Sequence, residues 1–330
     1  MKKIAPPYDL ESIDLATFPI ISLMDHLCGI DQDGQNTILN KLNDISYKQG
    51  RKLIVNYHQI LPQWIMDQYP HLDIRFDGNL QFEFSYRFFV DTSVEVSIDK
   101  VNFASVILGR PCMGRKLLCC ALDAMGWLDL RYALKNMSFD LDVVDGFIQN
   151  NVDVDEEPYF HKRFIRHDRK QFYLDSQHGE QYERYSHSES LARVVGIIGP
   201  SFIHVVSETY ATSSTVYATE KFAYSAATGQ LFVAFAQQGW HAMLNEYYGF
   251  ELYDEIIDYS FDREKNPVKR MDMLINVLEP LSKLSNKEWA AIYKATQQKR
   301  DYNRLLCVTT KLRDNLMKHS TSFNLGNTEH

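Results

Sequence analysis

The apolar positions of this chain fall into short runs separated by amphipathic stretches, the pattern of alternating strands and helices in an α/β protein. Lys52–Tyr57 (KLIVNY) follows Gln49-Gly50 and predicts a buried strand. Behind it Leu61, Trp64, Ile65 and Met66 keep helical register, so Ile60–Tyr69 predicts a helix that Pro70 stops. Leu72–Phe76 and Gln81–Val90 read as further strands. The pattern restarts near Lys100. Val101–Leu108 (VNFASVIL) is strongly apolar, and Gly109-Arg110-Pro111 ends it. Arg115–Met125 then carries Leu117, Leu118, Ala121, Leu122 and Met125 at helical spacing. Strand, Gly/Pro turn and helix together open a βα unit. Ser190–Ile198 predicts a helix and Phe202–Val206 a strand. Val216–Ala227 predicts a helix capped by Thr219, with Glu220 in the first turn, where a carboxylate suits the helix dipole. Leu231–Phe235 predicts a strand, and Trp240–Tyr247, Val268–Leu284 and Lys287–Met317 predict helices. Asn151–Glu183 breaks the rhythm. An acidic patch, Asp153–Glu157, gives way to the basic run His161–Lys170, which reads as an inserted or mobile surface segment.

Composition narrows this picture. At roughly 100–200 residues per domain, 330 residues make two domains or one large α/β unit. Apolar residues at 45% and aromatics at 13% supply a sizeable core and exclude disorder, collagen or coiled coil as the main architecture. The start, Met1 to Pro7, has charges but no apolar stretch behind them, so no signal peptide is expected. No apolar run approaches the roughly 20 residues of a membrane span, so no membrane partner is expected. The cysteines are Cys28, Cys112, Cys119, Cys120 and Cys307, an odd set without CxxC or zinc spacing. They read as reduced thiols, which points to a cytoplasmic location. A net charge of −8 argues, over the whole chain, against a polyanionic partner.

Two segments carry candidate chemistry. Leu108–Lys116 places Arg110, Arg115 and Lys116 at a strand–helix junction. The carboxyl edge of an α/β sheet is where ligands bind, and free N–H groups with an Arg fork suit a phosphate. The competing reading is a solvated basic turn. Ser207-Glu208-Thr209-Tyr210 and then Tyr217-Ala218-Thr219-Glu220-Lys221-Phe222 place a strand end before a helix that opens Glu-Lys. The carboxylate suits ribose hydroxyls and the ammonium a phosphate. Here the competing reading is a capped helix with an exposed charge pair.

These residues resemble a known family. Tyr217–Phe222, followed by Ala226-Ala227-Thr228-Gly229-Gln230-Leu231-Phe232-Val233, is similar to the nucleotide-sugar motif of α1,3-fucosyltransferase-like enzymes of the GT-B class. Phe103–Arg115, Val205–Thr209 and the run from Gly249-Phe250 through Ile256–Asp262 to Pro267–Arg270 resemble its phage-encoded members. The likeness spans about Lys100–Leu284. It implies a GT-B fold: two Rossmann-like domains facing a cleft, with C-terminal helices. The domains would be 1–98 on the acceptor side and 99–330 on the donor side, with the basic insertion near 151–185. It implies a glycosyltransferase with a nucleoside-diphosphate sugar as donor, UDP-sugars favoured, and no bound metal or other cofactor. Glu220 would hold the donor ribose, Lys221 with Arg110 or Arg115 would neutralise the diphosphate, and Tyr217 would pack near base or phosphates. Glu208 and Thr219 complete the donor-side set. A DxD metal signature in a plausible strand-end context is absent; Asp140-Leu141-Asp142, beside a Phe/Val-rich stretch, is the nearest to one.

The reaction implied is an inverting displacement at the anomeric carbon, with a base drawn from the N-terminal domain. The family's catalytic carboxylate has no clear counterpart, and Asp25, His58 and Asp91 are the candidates. For the acceptor, Lys162, Arg163, Arg166, Arg169 and Lys170 are interleaved with Phe160, Phe164 and Phe172, a pattern that suits a nucleic-acid backbone. The C-terminal helical stretch is locally basic as well. Solvated helix faces are the competing reading. Together with the phage likeness, this makes the hydroxymethyl group of modified cytosine in double-stranded DNA the leading acceptor, reached by base flipping, with glucose or arabinose transferred. The location would then be the host cytoplasm. A saccharide or glycan acceptor is the alternative, and a non-catalytic nucleotide- or nucleic-acid-binding protein is the second.

Overall fold

The computed structural model describes residues 2–4, 20–23, 32–57, 66–76, 100–108, 112–128, 133–166, 168, 171–175, 194–208, 211, 218, 220–309, 311–312 and 314–315. The chain divides into two compact units. One comprises Met1–Glu83, Ser213–Tyr217 and Arg313–His330, the other Phe84–Thr212 and Ala218–Leu312.

The first unit holds strands β1 (Lys2–Ile4) and β2 (Ile20–Leu23), helix α1 (Gln32–Lys48), and strands β3 (Leu53–Tyr57) and β4 (Leu72–Phe76). The four strands form one parallel sheet in the order β1-β2-β3-β4. α1 buries Ile38, Leu39, Leu42 and Ser46, the 3.6-residue stripe of a helix laid on a sheet. Ser46 does more than fill space. Its Oγ lies 2.5 Å from Arg51 O and 2.6 Å from His71 O, and it accepts the Leu53 N–H at 3.1 Å. One hydroxyl thus ties the end of α1 to the starts of β3 and β4.

The second unit runs β5 (Asn102–Leu108), α2 (Met113–Ala124), β6 (Ala133–Asp140), α3 (Leu141–Gln149), α4 (Glu157–Phe164), β7 (Gln171–Asp175), β8 (Ser201–Ser207), α5 (Glu220–Ala227) and β9 (Leu231–Phe235). Helix α6 (Trp240–Met243) continues as a π-helical turn, Leu244–Tyr248, and a 3-10 turn follows at Tyr259–Arg263. Helices α7 (Pro267–Ser282), α8 (Asn286–Ala295) and α9 (Gln297–Val308) complete it. Its sheet has the order β7-β6-β5-β8-β9, with β7 antiparallel and the other four strands parallel. Every residue of β8 and β9 is buried, which is why both sequences read as unbroken runs without polar alternation.

The α/β reading holds, and β3, β4, β5, β8, β9, α2 and α7 fall within two residues of the expected bounds. Three local expectations change. The segment expected to be loose contains α4 and the edge strand β7. Phe160 and Phe164, one turn apart, bury an apolar edge of α4 against the unit, so the basic residues ride on a packed helix. The stretch expected as one helix from Lys287 breaks at buried Thr296, where φ is −90° and ψ is 0°, into α8 and α9. β6 (ALKNMSFD) has no apolar run to announce it. The strand expected at Gln81–Val90 and the helix expected over 60–65 lie outside the described residues.

Candidate functional site at the sheet switch point

The order β6-β5-β8-β9 puts a topological switch between β5 and β8: the chain leaves β5 toward β6, then returns on the other side as β8. Loops at the carboxyl ends of two such strands diverge and leave a crevice, the usual ligand position in open α/β sheets. The residues around it are Arg115 in the first turn of α2, Glu208 just after β8, and Lys221 in the first turn of α5.

The start of α2 is fitted closely to the loop after β8. A Cβ on Gly114 would lie 2.7 Å from the Ala211 Cβ, so the approach requires glycine. Arg115 is 1% exposed, and its Nε donates to Ser207 O, the last carbonyl of β8, at 3.4 Å. α2 has no side-chain cap hydrogen bond and no acid in its first turn. Glu208 is fully buried, and its N–H donates to Phe235 O at the end of β9 at 3.2 Å. The Tyr248 phenol is pushed well above its ordinary range by burial and then by the Glu208 charge. Lys221 is 9% exposed and closes the set on the α5 side.

A buried arginine holds the neighbouring loops. Arg270 of α7 donates Nε to Ala236 O at 3.1 Å, Nη2 to Ala211 O at 2.7 Å, and Nη1 to Glu264 O and Lys265 O. Burial lowers this guanidinium to about 10. Two side chains on the same edge have buried polar atoms without partners among the described residues: Ser207 Oγ, and both Oε1 and Nε2 of Gln237. A buried group left this way costs about 1–3 kcal/mol unless something binds it.

A second region resembles a catalytic pair but is occupied by the fold. Asp262 accepts His241 Nδ1–H at 2.8 Å and the N–H groups of His241 and Ala242, while His241 Nε2 accepts the Ala234 N–H at 3.1 Å. Burial pushes the Asp262 carboxyl up, but His241 and the backbone donors outweigh it and hold it low. Both ring nitrogens are engaged, so the imidazole has no lone pair to offer a substrate. The pair lies on the wall of a cavity of about 920 Å³, which is also lined by Asp254, Glu255 and Asp258. That cavity shares no residue with the switch-point set.

The expected site residues distribute as follows. Arg115, Glu208 and Lys221 stand at the switch point. Glu220 opens α5. Arg110, Tyr217, Thr219, Asp25, His58, Asp91, Arg169 and Lys170 lie outside the described residues. Lys162 is exposed on α4. Arg163 is turned inward, with Nε to Asp272 Oδ1 at 3.1 Å and Nη2 to Asn276 Oδ1 at 2.7 Å and Glu279 Oε2 at 3.4 Å. Arg166 forms a two-pronged pair with Asp168. In the C-terminal helices Lys283 pairs with Glu279, and Lys299 with Asp254 and Glu255. Much of the local positive charge read from the sequence is therefore answered inside the chain. Asp140 closes β6 and Asp142 opens α3, and among the described residues no group of three or more His, Cys, Asp or Glu could hold a metal ion. No helix among them is long and apolar enough to cross a membrane.

Gly114, Ser207, Gln237, Tyr248 and Arg270 were not singled out as site residues from the sequence. Gly114, Ser207 and Arg270 fell within segments that the sequence marked, but without a role of their own.

No family model, no curated protein and no solved structure matches this chain.

Proposed function

We propose that the protein is a glycosyltransferase of GT-B type that binds a nucleoside-diphosphate sugar at the β5/β8 switch point. The observation that supports this reading is that Arg115, Glu208 and Lys221 fall on elements that begin or end at the carboxyl edge of the sheet's parallel strands, where the strand order reverses. The four-stranded parallel sheet and the four parallel strands of the second sheet suit a pair of Rossmann-like halves. In this reading Lys221, Arg115 and the start of α2 face the diphosphate, and the carboxylates on the β8–α5 side take ribose hydroxyls. As the glycosidic bond to the diphosphate breaks, negative charge grows on the leaving oxygen. Fixed cations at that position stabilise the charge without reorganising. A base removes the acceptor hydroxyl proton, and the sugar is transferred with inversion.

Modified cytosine in double-stranded DNA remains the proposed acceptor, supported by the likeness to phage enzymes and by exposed Lys162. The internal pairing of Arg163 and Arg166 gives it less support than the sequence did.

The test is a panel of UDP-, GDP- and ADP-sugars offered with hydroxymethylated duplex, plain duplex or an oligosaccharide, read by mass spectrometry. One sugar gained per modified base is the expected result, and a gain on the oligosaccharide alone would move the acceptor to glycans. Lys221→Ala is expected to weaken nucleotide binding by ~10–100-fold, the loss of one charge-assisted contact of roughly 1.5–3 kcal/mol. If no donor is consumed and Lys221→Ala leaves nucleotide affinity unchanged, the enzyme reading fails.

A further inference from the structure

The opposite, amino edge of the second unit's sheet carries a charge arrangement that donor binding does not use. Lys100 stands just before β5 and reaches across the start of β8. Its Nζ donates to Gly199 O and to Gln230 Oε1, both at 2.6 Å. From the helical side, Arg300 of α9 donates Nη1 to Gly229 O at 2.9 Å, Nη2 to Tyr293 O at 2.7 Å and Nε to Thr296 Oγ1 at 3.3 Å. Both cations lie on the Tyr293 ring: Nζ is 5.2 Å and the guanidinium carbon 4.5 Å from its centroid. The Tyr293 hydroxyl donates to Phe202 O at 2.6 Å.

Every acceptor in this cluster is neutral. Lys283, Lys299, Arg163 and Arg166 all find carboxylates, whereas Lys100 and Arg300 find none among the described residues. An ammonium has three N–H groups and a guanidinium five, so each cation keeps unengaged donors. Both residues are only partly buried. The proximity has a measurable cost. Burial, and then the Arg300 charge, lower the Lys100 ammonium to about 8.

We propose that Lys100 and Arg300 form a phosphate-binding site at the amino edge of the sheet, separate from the switch-point crevice. A phosphate dianion supplies the missing counter-charge, and its oxygens accept the remaining N–H groups of an Arg fork and an ammonium. Tyr293 offers both cations its ring. The same chemistry serves a free phosphate or phosphate monoester and the backbone of a nucleic acid.

The experiment uses the full chain. Lysine side-chain NMR follows the Lys100 titration in inorganic phosphate and in chloride at equal ionic strength. An opposite charge at hydrogen-bond range favours the ammonium, so phosphate is expected to move the Lys100 midpoint from about 8 toward the ordinary lysine value. By linkage, phosphate affinity falls as pH rises through that midpoint. Calorimetry then compares phosphate binding in Lys100→Met and Arg300→Lys. The first is expected to lose ~10-fold or more in affinity, the second less, because charge remains and only the fork is lost. Equal midpoints in phosphate and chloride overturn the proposal, and so does unaltered binding in a folded Lys100→Met variant. The wild-type titration decides alone if the variants do not fold. Once phosphate binding is seen, a plain duplex oligonucleotide is added. Return of the midpoint to its phosphate-free value without the duplex raising it would mean that phosphate bound elsewhere and overturns the site. A raised midpoint with duplex alone assigns the ligand to a nucleic-acid backbone, and none with duplex alone assigns it to small phosphates.

Discussion

At the carboxyl edge of the second unit's sheet, Arg270 binds four backbone carbonyls from loops that follow β8, β9 and the 3-10 turn. At the amino edge, Lys100, Gln230, Tyr293 and Arg300 do the same for the turns that precede β8 and β9. The two differ in what is left over. The carboxyl edge keeps buried side-chain atoms without partners on Ser207 and Gln237. The amino edge is sealed by a ring stack of Phe202 on Trp289, with centroids 4.9 Å apart and planes 8° apart. Its unanswered groups are the buried Ser201 Oγ and two charges at the rim. Under the donor reading, loops that admit a ligand cannot be closed by aromatic packing, and one long side chain from outside the sheet fixes them instead.

Arg270→Met gives the largest effect expected from this contrast. It leaves the Ala211, Ala236 and Glu264 carbonyls without their donor in a dry setting, at ~3–5 kcal/mol of unfolding free energy. Urea denaturation measures it. A loss under ~1 kcal/mol would mean that the loops hold themselves, and the contrast between the edges would go with it.

Between the edges the sheet is dry, and His204 tests how dry. It is fully buried on β8, its Nδ1 lies 3.0 Å from Ser105 Oγ, and burial lowers its pKa from 6.5 to about 3. As pH falls below about 6.5 the unfolded chain takes up a proton that the folded chain refuses until about pH 3. Stability therefore falls across that window, with a limiting slope of ~1.4 kcal/mol per pH unit from this group. Urea midpoints at pH 7, 5 and 4 are expected to fall less steeply in His204→Gln than in the wild type. Parallel curves would show that the imidazole is solvated in the native state.

Gly114→Ala sharpens the contrast from the carboxyl side. Its new methyl meets Ala211 Cβ at 2.7 Å, and relief requires α2 and the loop after β8 to separate. The expected loss is ~1–3 kcal/mol of stability. Under the donor reading, nucleotide affinity falls as well, because Arg115 moves with α2. Stability lost with affinity intact would place the ligand away from the start of α2.

The legible part of this molecule was what hydrophobic runs announce. FIHVV, LFVAF and the ASVIL end of VNFASVIL are buried on both faces, and their positions followed directly from the pattern. β6 was not legible because its residues are mixed in polarity, and α4 was not because its charges outnumber the two phenylalanines that anchor it. At the site, Arg115, Glu208 and Lys221 stood out because strand–turn–helix junctions mark sheet edges. Arg270 did not, because its role depends on α7 crossing loops more than thirty residues away in sequence, which no local spacing encodes. The same limit applies to Arg163. A basic run reads alike whether its partner is a nucleic acid or an acidic helix face, and Asp272 and Glu279 lie over a hundred residues further along the chain.

Tyr293→Phe has the smallest effect expected and separates the edges most cleanly. It removes one hydroxyl whose hydrogen goes to Phe202 O at 2.6 Å and keeps the ring on which Lys100 and Arg300 rest. One neutral hydrogen bond of this kind contributes about 1 kcal/mol. Thermal and urea unfolding are expected to register that loss, while nucleotide affinity stays at the wild-type value, because the seam it loosens lies at the end of the strands opposite the switch point. A change in nucleotide affinity would mean that a shift at the start of β8 travels the length of the strand to Ser207, and the two edges would then have to be treated as one mechanical element.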